Sequence, residues 1–92
     1  MLILGASGGV GLAAVEIAKA LGARVLAGLT TPSKGDEVMK WGADAIIDLG
    51  AENLRDAVRD QVMVATDGAG VDLVFDLVGG APFDASMRAI AW

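Results

Sequence analysis

A cluster of glycines near the start of the chain constrains the fold more than any other feature of the sequence. It consists of Gly5, Gly8, Gly9 and Gly11. The apolar residues 1–4 indicate a strand that leads into the cluster, and an uninterrupted helical pattern follows it. A strand, a glycine turn and a helix form the geometry that cradles a pyrophosphate, because the backbone approaches the phosphates closely and the helix N-terminus presents unpaired N–H groups.

The spacing of these glycines departs from the strict dinucleotide-binding fingerprint. In the register of G-x-G-x-x-G, Ala6 replaces the first glycine and Gly5 lies one position early. Because glycines also mark ordinary turns, the cluster taken alone leaves that interpretation open. The strand before it, and the helix and second strand after it, favour a dinucleotide site.

Strand and helix patterns alternate along the chain, which is typical of a parallel sheet with right-handed crossovers. With the glycine turn at the switch point, the predicted strand order is 3-2-1-4. The fold class is therefore α/β, a truncated doubly wound parallel (Rossmann) sheet with helices on both faces. The predicted strands are residues 1–4, 24–28, 45–49 and 71–78, and the predicted helices are residues 9–21, 31–41, 52–65 and 83–91. The first helix is predicted to bury Val10, Ala13, Ala14, Ile17, Ala18 and Leu21.

The complete doubly wound pattern has two more strands, so residues 1–92 are expected to form a dinucleotide-binding domain that is incomplete at its C-terminal end. Residues 71–78 read as a strand that is apolar on both faces, and an unpaired apolar edge is a template for association. We therefore expect a homo-oligomer that forms through this edge or by exchange of the last helix.

Composition excludes several classes of function. The chain has no cysteine, histidine or tyrosine, which argues against a disulfide framework, a metal site and most proton-transfer side chains. A net charge of −5 without a basic cluster argues against nucleic-acid binding. No apolar run reaches the roughly 18 residues of a membrane span. The absence of cysteine fits a cytoplasmic protein.

The end of the second predicted strand indicates which dinucleotide would bind. An acidic residue there accepts the 2′-hydroxyl of NAD, whereas a basic residue nearby suits the 2′-phosphate of NADP. The segment 27–31 contains no acid, Thr30 and Thr31 supply hydroxyl groups, and Lys34 follows. This pattern favours NADPH over NADH, although Lys34 can also be read as a solvated residue in the first turn of a helix.

Other residues at the carboxyl ends of the strands are weaker candidates. Leu77, Val78 and Gly79 follow the fourth strand, where they would flank the adenine or a ribose, or else complete the core and a turn. Asp48 and Asp76 also end strands, but no histidine or metal ligand accompanies them as an acid–base pair would require. No catalytic residue and no metal ligand is assigned.

Several segments, taken in order, carry a more specific signal. They are Gly5–Gly11, Ala18–Ala23, Lys34, Trp41–Asp44, Ile46–Asp48 and Val74–Gly80. Together they resemble the medium-chain dehydrogenase/reductase superfamily, and within it the zinc-independent quinone oxidoreductase branch. The resemblance implies the nucleotide-binding domain of an enzyme that transfers hydride from NADPH to a quinone or another electrophilic alkene or carbonyl compound.

The resemblance also implies roles for individual residues. Gly8, Gly9, Val10 and Gly11 would meet the pyrophosphate, Lys34 would take the 2′-phosphate, and Val78 with Gly79 would contact the cofactor. Some members place a tyrosine after the third strand to hold that phosphate, and here the position is Leu49. The small-molecule substrate would be bound by a domain that these residues do not include.

Three alternatives remain open at this point. The chain is compatible with a zinc-type alcohol dehydrogenase-like protein, with a non-catalytic nucleotide-binding module, and with a structural fragment that binds nothing by itself. Short-chain dehydrogenases share the glycine turn, because Gly5, Gly9 and Gly11 fit their Gly-x-x-x-Gly-x-Gly pattern. That class needs a catalytic tyrosine, which this chain lacks.

Overall fold

A computed structural model describes residues 1–6, 9–30, 35–50, 54–76 and 84–87 of the chain. Within these ranges, strands and helices alternate, and residues 84–87 have a helical backbone. None of the helices in this part of the chain is long and apolar enough to cross a bilayer. The elements are β1 (Leu2–Leu4), α1 (Gly9–Ala20), β2 (Leu26–Leu29), α2 (Gly35–Lys40), β3 (Ala45–Asp48), α3 (Leu54–Ala65) and β4 (Val74–Asp76).

The strands form one parallel sheet in the order β3-β2-β1-β4, which confirms the predicted fold class and topology. The side chains of β1 alternate between the two faces of the sheet. Leu2 and Leu4 pack with Val58 of α3, whereas Ile3 packs with Val15 of α1 on the opposite face. All three residues of β1 are fully buried. The glycine turn therefore starts from the centre of the sheet, with helices on both sides.

The predicted buried face of α1 is confirmed for Ala18 and wrong for its three largest side chains. Val10, Ile17 and Leu21 are 66%, 61% and 82% exposed. A Cβ atom on Gly11 would lie 2.5 Å from the carbonyl oxygen of Gly5, so Gly11 has to face the β1–α1 turn. That backbone contact fixes the rotation of the helix, and the most apolar stripe is left on its flank. The residues that α1 buries are Gly11, Val15 and Ala18.

All four strands differ from their predicted bounds, β1 and β3 by one residue and β2 and β4 by more. Strand β2 begins at Leu26 rather than at residue 24, because the N–H of Val25 donates to a side chain, Asp44 Oδ2 at 2.7 Å, instead of to a neighbouring strand. Strand β4 is Val74–Asp76 within the described residues, whereas 71–78 was predicted. Val71 is buried ahead of the strand, and residues 77 and 78 lie outside the described part of the chain.

Asp44 joins three elements rather than acting only as a turn residue. Its carboxylate accepts bonds from Lys19 Nζ on α1, at 2.7 and 2.8 Å, and from the N–H of Val25 just before β2. The hydrogen bond from Lys19 lowers the pKa of the Asp44 carboxyl below its ordinary value of 3.8, and the bond from Val25 adds to the effect. The ion pair therefore ties α1 to the β2–β3 side of the sheet.

Replacing Asp44 with alanine should lower the free energy of unfolding by about 2–3 kcal/mol, because a charged acceptor is lost to both donors. Asp44→Asn keeps an acceptor for Val25 and should cost only about 0.5–1 kcal/mol. Since the pKa of Asp44 is lowered in the folded state, its contribution to stability is present above about pH 4. That contribution is lost as the pH falls through the pKa of the folded state. Urea unfolding followed by circular dichroism between pH 2 and 7 measures it, and equal costs for the two variants would contradict the assignment.

Candidate functional site

The turn between β1 and α1 is anchored on the neighbouring strand. Gly5 has a φ of 80°, a conformation that side chains with a Cβ rarely adopt. Its N–H donates to the carbonyl oxygen of Gly28 on β2 at 3.0 Å, and the N–H of Ala6 donates to the same oxygen at 3.3 Å. Ala6 is fully buried. The chain is thereby held tightly as it leaves the sheet and enters the helix.

The glycines that begin α1 have two different environments. A Cβ on Gly11 would lie 2.5 Å from Gly5 O, 2.7 Å from Ala6 Cα and 2.8 Å from Ala6 C, so this glycine lets the helix pack directly on the turn. A Cβ on Gly9 would meet no atom of the described residues within 4 Å. The first turn of α1 carries no acidic side chain. The open space at Gly9, at the positive end of the helix dipole, suits an anion.

The carboxyl end of β2 lies beside this turn. Gly28 is crowded, because a Cβ there would lie 3.1 Å from Leu4 Cδ2 and 3.2 Å from Leu49 Cδ1. Leu49 is buried in the core between the sheet and α3, and its N–H donates to Leu29 O at 2.7 Å. Leu49 therefore offers no polar side chain to this edge of the sheet. Thr30, one residue past β2, is exposed at the same edge of the sheet.

Gln61 of α3 is a residue whose role the sequence did not reveal. Its amide oxygen accepts the N–H of Asp48 at 2.8 Å, and its amide nitrogen donates to the carbonyl oxygen of Asp48 at 3.1 Å. The side chain thus occupies the outer edge of β3 much as a neighbouring strand would. A polar residue on the buried side of an amphipathic helix was the only available signal. The contact fixes the backbone where β3 reaches the candidate site.

The structure describes four of the ten predicted cofactor-binding residues. Gly9, Val10 and Gly11 lie in the first turn of α1, and Thr30 lies at the end of β2, so both groups are at the carboxyl edge of the sheet. This is the edge at which parallel α/β sheets bind their ligands. The others lie outside the described residues: Gly8, Thr31, Lys34, Leu77, Val78 and Gly79.

Asp48 and Asp76 are too far apart to act as a carboxylate pair. They end β3 and β4, which are the outermost strands of the described sheet. Three strand spacings separate those strands, or about 14 Å. The described residues hold no group of three or more histidine, cysteine or acidic side chains that could bind a metal ion.

A cavity of about 870 Å³ opens at the opposite end of the sheet. It is lined mainly by apolar groups around Met1, Leu26, Val71 and Leu73, at the amino ends of the strands. Ligands of parallel α/β sheets bind at the carboxyl ends, so this cavity does not belong to the candidate site despite its size.

Comparisons with known proteins show the family to which the chain belongs. Residues 9–91 match the family model described as zinc-binding dehydrogenase. The chain is 37% identical over 93 residues to the quinone oxidoreductase-like protein 2 homolog of Nematostella vectensis, covering 100% of this chain and 24% of that protein. It is 38% identical over 90 residues to the acryloyl-coenzyme A reductase of Sulfurisphaera tokodaii, covering 98% of this chain and 24% of that protein.

A solved structure gives the same result for the fold. The Escherichia coli quinone oxidoreductase complexed with NADPH superposes with a TM-score of 0.83 at 34% identity, covering 97% of this chain and 26% of that one. The chain therefore spans about a quarter of the length of these proteins.

Proposed function

The chain belongs to the zinc-binding dehydrogenase family of the medium-chain dehydrogenase/reductase superfamily, and from that premise we propose that it is the NADPH-binding part of an oxidoreductase. The proposed reaction is transfer of a hydride from NADPH to a quinone or to another electrophilic alkene or carbonyl compound. Residues 1–92 would form the dinucleotide-binding domain, and the substrate would be held by parts of a longer protein.

The observation that carries the proposal is the contrast between Gly9 and Gly11. The helix is pressed against the turn at Gly11, while the space in front of Gly9 is open at the helix N-terminus. A pyrophosphate suits such a cradle, because backbone N–H groups and the helix dipole face it and none of the described side chains fills it. In this proposal Gly8, Gly9 and Val10 contact the phosphates, and Gly11 allows the close packing that shapes the cradle.

The remaining predicted residues would bind the adenosine half of the cofactor. Lys34, with Thr30 and Thr31, would hold the 2′-phosphate, since a lysine attracts a phosphate dianion and the hydroxyl groups donate to its oxygens. Leu77, Val78 and Gly79 would border the cofactor beyond β4. NADPH, when bound, supplies the hydride, and the protein contributes binding and orientation.

The names of the similar proteins support the substrate class. One is a quinone oxidoreductase and another reduces acryloyl-coenzyme A. Both names describe compounds in which an electron-poor double bond is conjugated to a carbonyl group. A steady-state assay of the full-length protein with NADPH and either a benzoquinone or an enoyl thioester tests this class. Cofactor binding without NADPH oxidation in either assay would instead favour the non-catalytic module.

NADPH should bind the full-length protein more tightly than NADH, and Lys34→Ala should remove most of the difference. One charge-assisted contact to a phosphate is worth about 1–2 kcal/mol, which corresponds to roughly 5- to 30-fold in affinity. Isothermal titration calorimetry with both cofactors measures the effect. Lys40→Ala, at the C-terminal end of α2, is the matched control and should leave the preference for NADPH over NADH unchanged. Equal affinities for the two cofactors in the unaltered protein would contradict the assignment of Lys34.

A further inference from the structure

The carboxylate of Asp48 lies beside the end of β2, where the adenosine ribose is expected. Asp48 is the last residue of β3, and its Cα pairs in register with Leu29, the last residue of β2. Its Oδ1 atom accepts the N–H of Gly50 at 2.8 Å. A Cβ on Gly50 would lie 3.2 Å from that oxygen and 3.3 Å from the carbonyl oxygen of Thr30. The carboxylate and the end of β2 therefore flank the same glycine.

Hydrogen bonds to the backbone and to the side chain hold Asp48 in this position. Gln61 bonds both the N–H and the carbonyl group of Asp48, and the N–H of Leu49 donates to Leu29 O at 2.7 Å. With Gly50 bound to one carboxylate oxygen, the side chain is fixed as well. No lysine or arginine side chain that the structure describes forms an ion pair with Asp48. Its carboxylate therefore lies at the carboxyl edge of the sheet, and those side chains do not neutralise it locally.

Two further acidic residues among those that the structure describes lie near this edge. The first turn of α2 contains Asp36 and Glu37, which are exposed. A 2′-phosphate carries close to two negative charges at neutral pH, so it is repelled by nearby carboxylates, whereas a 2′-hydroxyl donates a hydrogen bond to one. Among these acids, Asp48 is the one held against the end of β2.

We infer that Asp48 is a second determinant of cofactor choice, which opposes the 2′-phosphate that Lys34 attracts. The inference rests on the proposed function. On this inference, the preference for NADPH over NADH is the net result of attraction of the 2′-phosphate by Lys34 and its repulsion by Asp48. Leu49, the next residue, is buried and apolar, so it adds nothing polar to the attraction.

The test is Asp48→Asn in the full-length protein. Asparagine keeps an oxygen for the N–H of Gly50 and removes the charge. We expect the Kd for NADPH to fall about three- to tenfold at low ionic strength, as one charge several ångströms from a phosphate near the surface should produce, while the Kd for NADH stays within about twofold. In 0.5 M salt, the gain should shrink below about twofold, because exposed charges are screened.

The matched control is Asp67→Asn. Asp67 is exposed just past the C-terminal end of α3, away from the carboxyl edge, and its φ of 53° is one that asparagine tolerates. Asp67→Asn should leave the Kd values for NADPH and for NADH unchanged. Equal changes for NADPH and NADH in Asp48→Asn would overturn the inference, because the carboxylate would then act only through Gly50. A selective gain in Asp67→Asn of the same size would also overturn it. Failure of the unaltered protein to bind either cofactor would instead refute the proposed function, and this inference with it.

Discussion

Replacing Gly11 with valine should abolish cofactor binding and lower the free energy of unfolding by about 3 kcal/mol or more, the upper end of the cost of overpacking. The three atoms that a Cβ would meet, all within 2.8 Å, belong to the backbone of Gly5 and Ala6. Backbone atoms cannot rotate away as a flexible side chain does. The helix would have to lift from the turn, and that turn is bonded to Gly28 of the central sheet.

Gly9→Val is the matched variant, because its Cβ would enter open space. Glycine is a weak helix former, so the stability of the fold should stay equal or rise slightly, by at most about 1 kcal/mol. Binding of NADPH should nevertheless weaken by about 100-fold or more, which is about 2.7 kcal/mol, since the new side chain stands where the pyrophosphate is proposed to lie.

Urea unfolding and calorimetry on the two variants separate packing from binding. The expected pattern is loss of stability and binding in Gly11→Val, and loss of binding alone in Gly9→Val. Full stability in Gly11→Val would mean that the helix does not rest on the turn as described. Undiminished NADPH binding in Gly9→Val would place the phosphates elsewhere and would leave the glycine cluster as an ordinary turn.

Strand order could be predicted because it depends on features that are local in the sequence. Short apolar runs alternate with helical patterns, and right-handed crossovers leave few topologies for that alternation. The glycine cluster then fixes which strand is central. The predicted strand order was confirmed because it needs only the order of elements along the chain. The exact ends of the strands could not be predicted, because each end depends on single hydrogen bonds, such as that between Val25 and Asp44.

The rotation of α1 could not be predicted from its apolar residues. Val10, Ile17 and Leu21 form a more hydrophobic stripe than the residues that are buried, Gly11, Val15 and Ala18. A backbone contact at Gly11 decides how the helix is rotated about its axis, and a pattern of hydrophobic residues cannot reveal such a contact. The roles of Gln61 and Asp44 were equally hidden, because each bonds to a backbone group more than ten residues away.

The exposed apolar side chains of α1 lie where they can contribute to self-association. Phe75 of β4 is the register partner of Ile3, whose side chain packs against α1, so Phe75 faces the same side of the sheet. Lys19 points toward Asp44 and β3, and Val10, Ile17 and Leu21 lie on the opposite flank of the helix. We call the surface formed by Val10, Ile17, Leu21 and Phe75 the α1–β4 face. Phe75 is 40% exposed, so this face is an apolar surface beside an edge strand.

The two edges of the described sheet differ in how they are protected. Gln61 bonds the backbone of Asp48 at the outer edge of β3, and such a cover blocks the addition of another strand there. At the other side, β4 pairs with β1, and the apolar side chain of Phe75 stands next to its outer edge. Exposed apolar patches beside an open edge are typical interaction surfaces. Association should therefore occur at the α1–β4 face and not at β3.

The 92-residue chain is expected to self-associate at tens of micromolar through the α1–β4 face. Size exclusion with light scattering should show a species larger than a monomer, and Phe75→Lys and Ile17→Lys should each shift it toward the monomer, because a buried lysine in the contact costs several kcal/mol. Val74 of the same strand is a poorer choice for substitution, since it packs against the core beneath α3. Val64→Lys is the control, as Val64 is 81% exposed on α3, across the sheet from the α1–β4 face. A shift toward the monomer with Phe75→Lys alone would assign the contact to the edge of β4. A monomer in the unaltered chain would contradict the prediction, because the apolar flank of α1 would then remain in water without driving association.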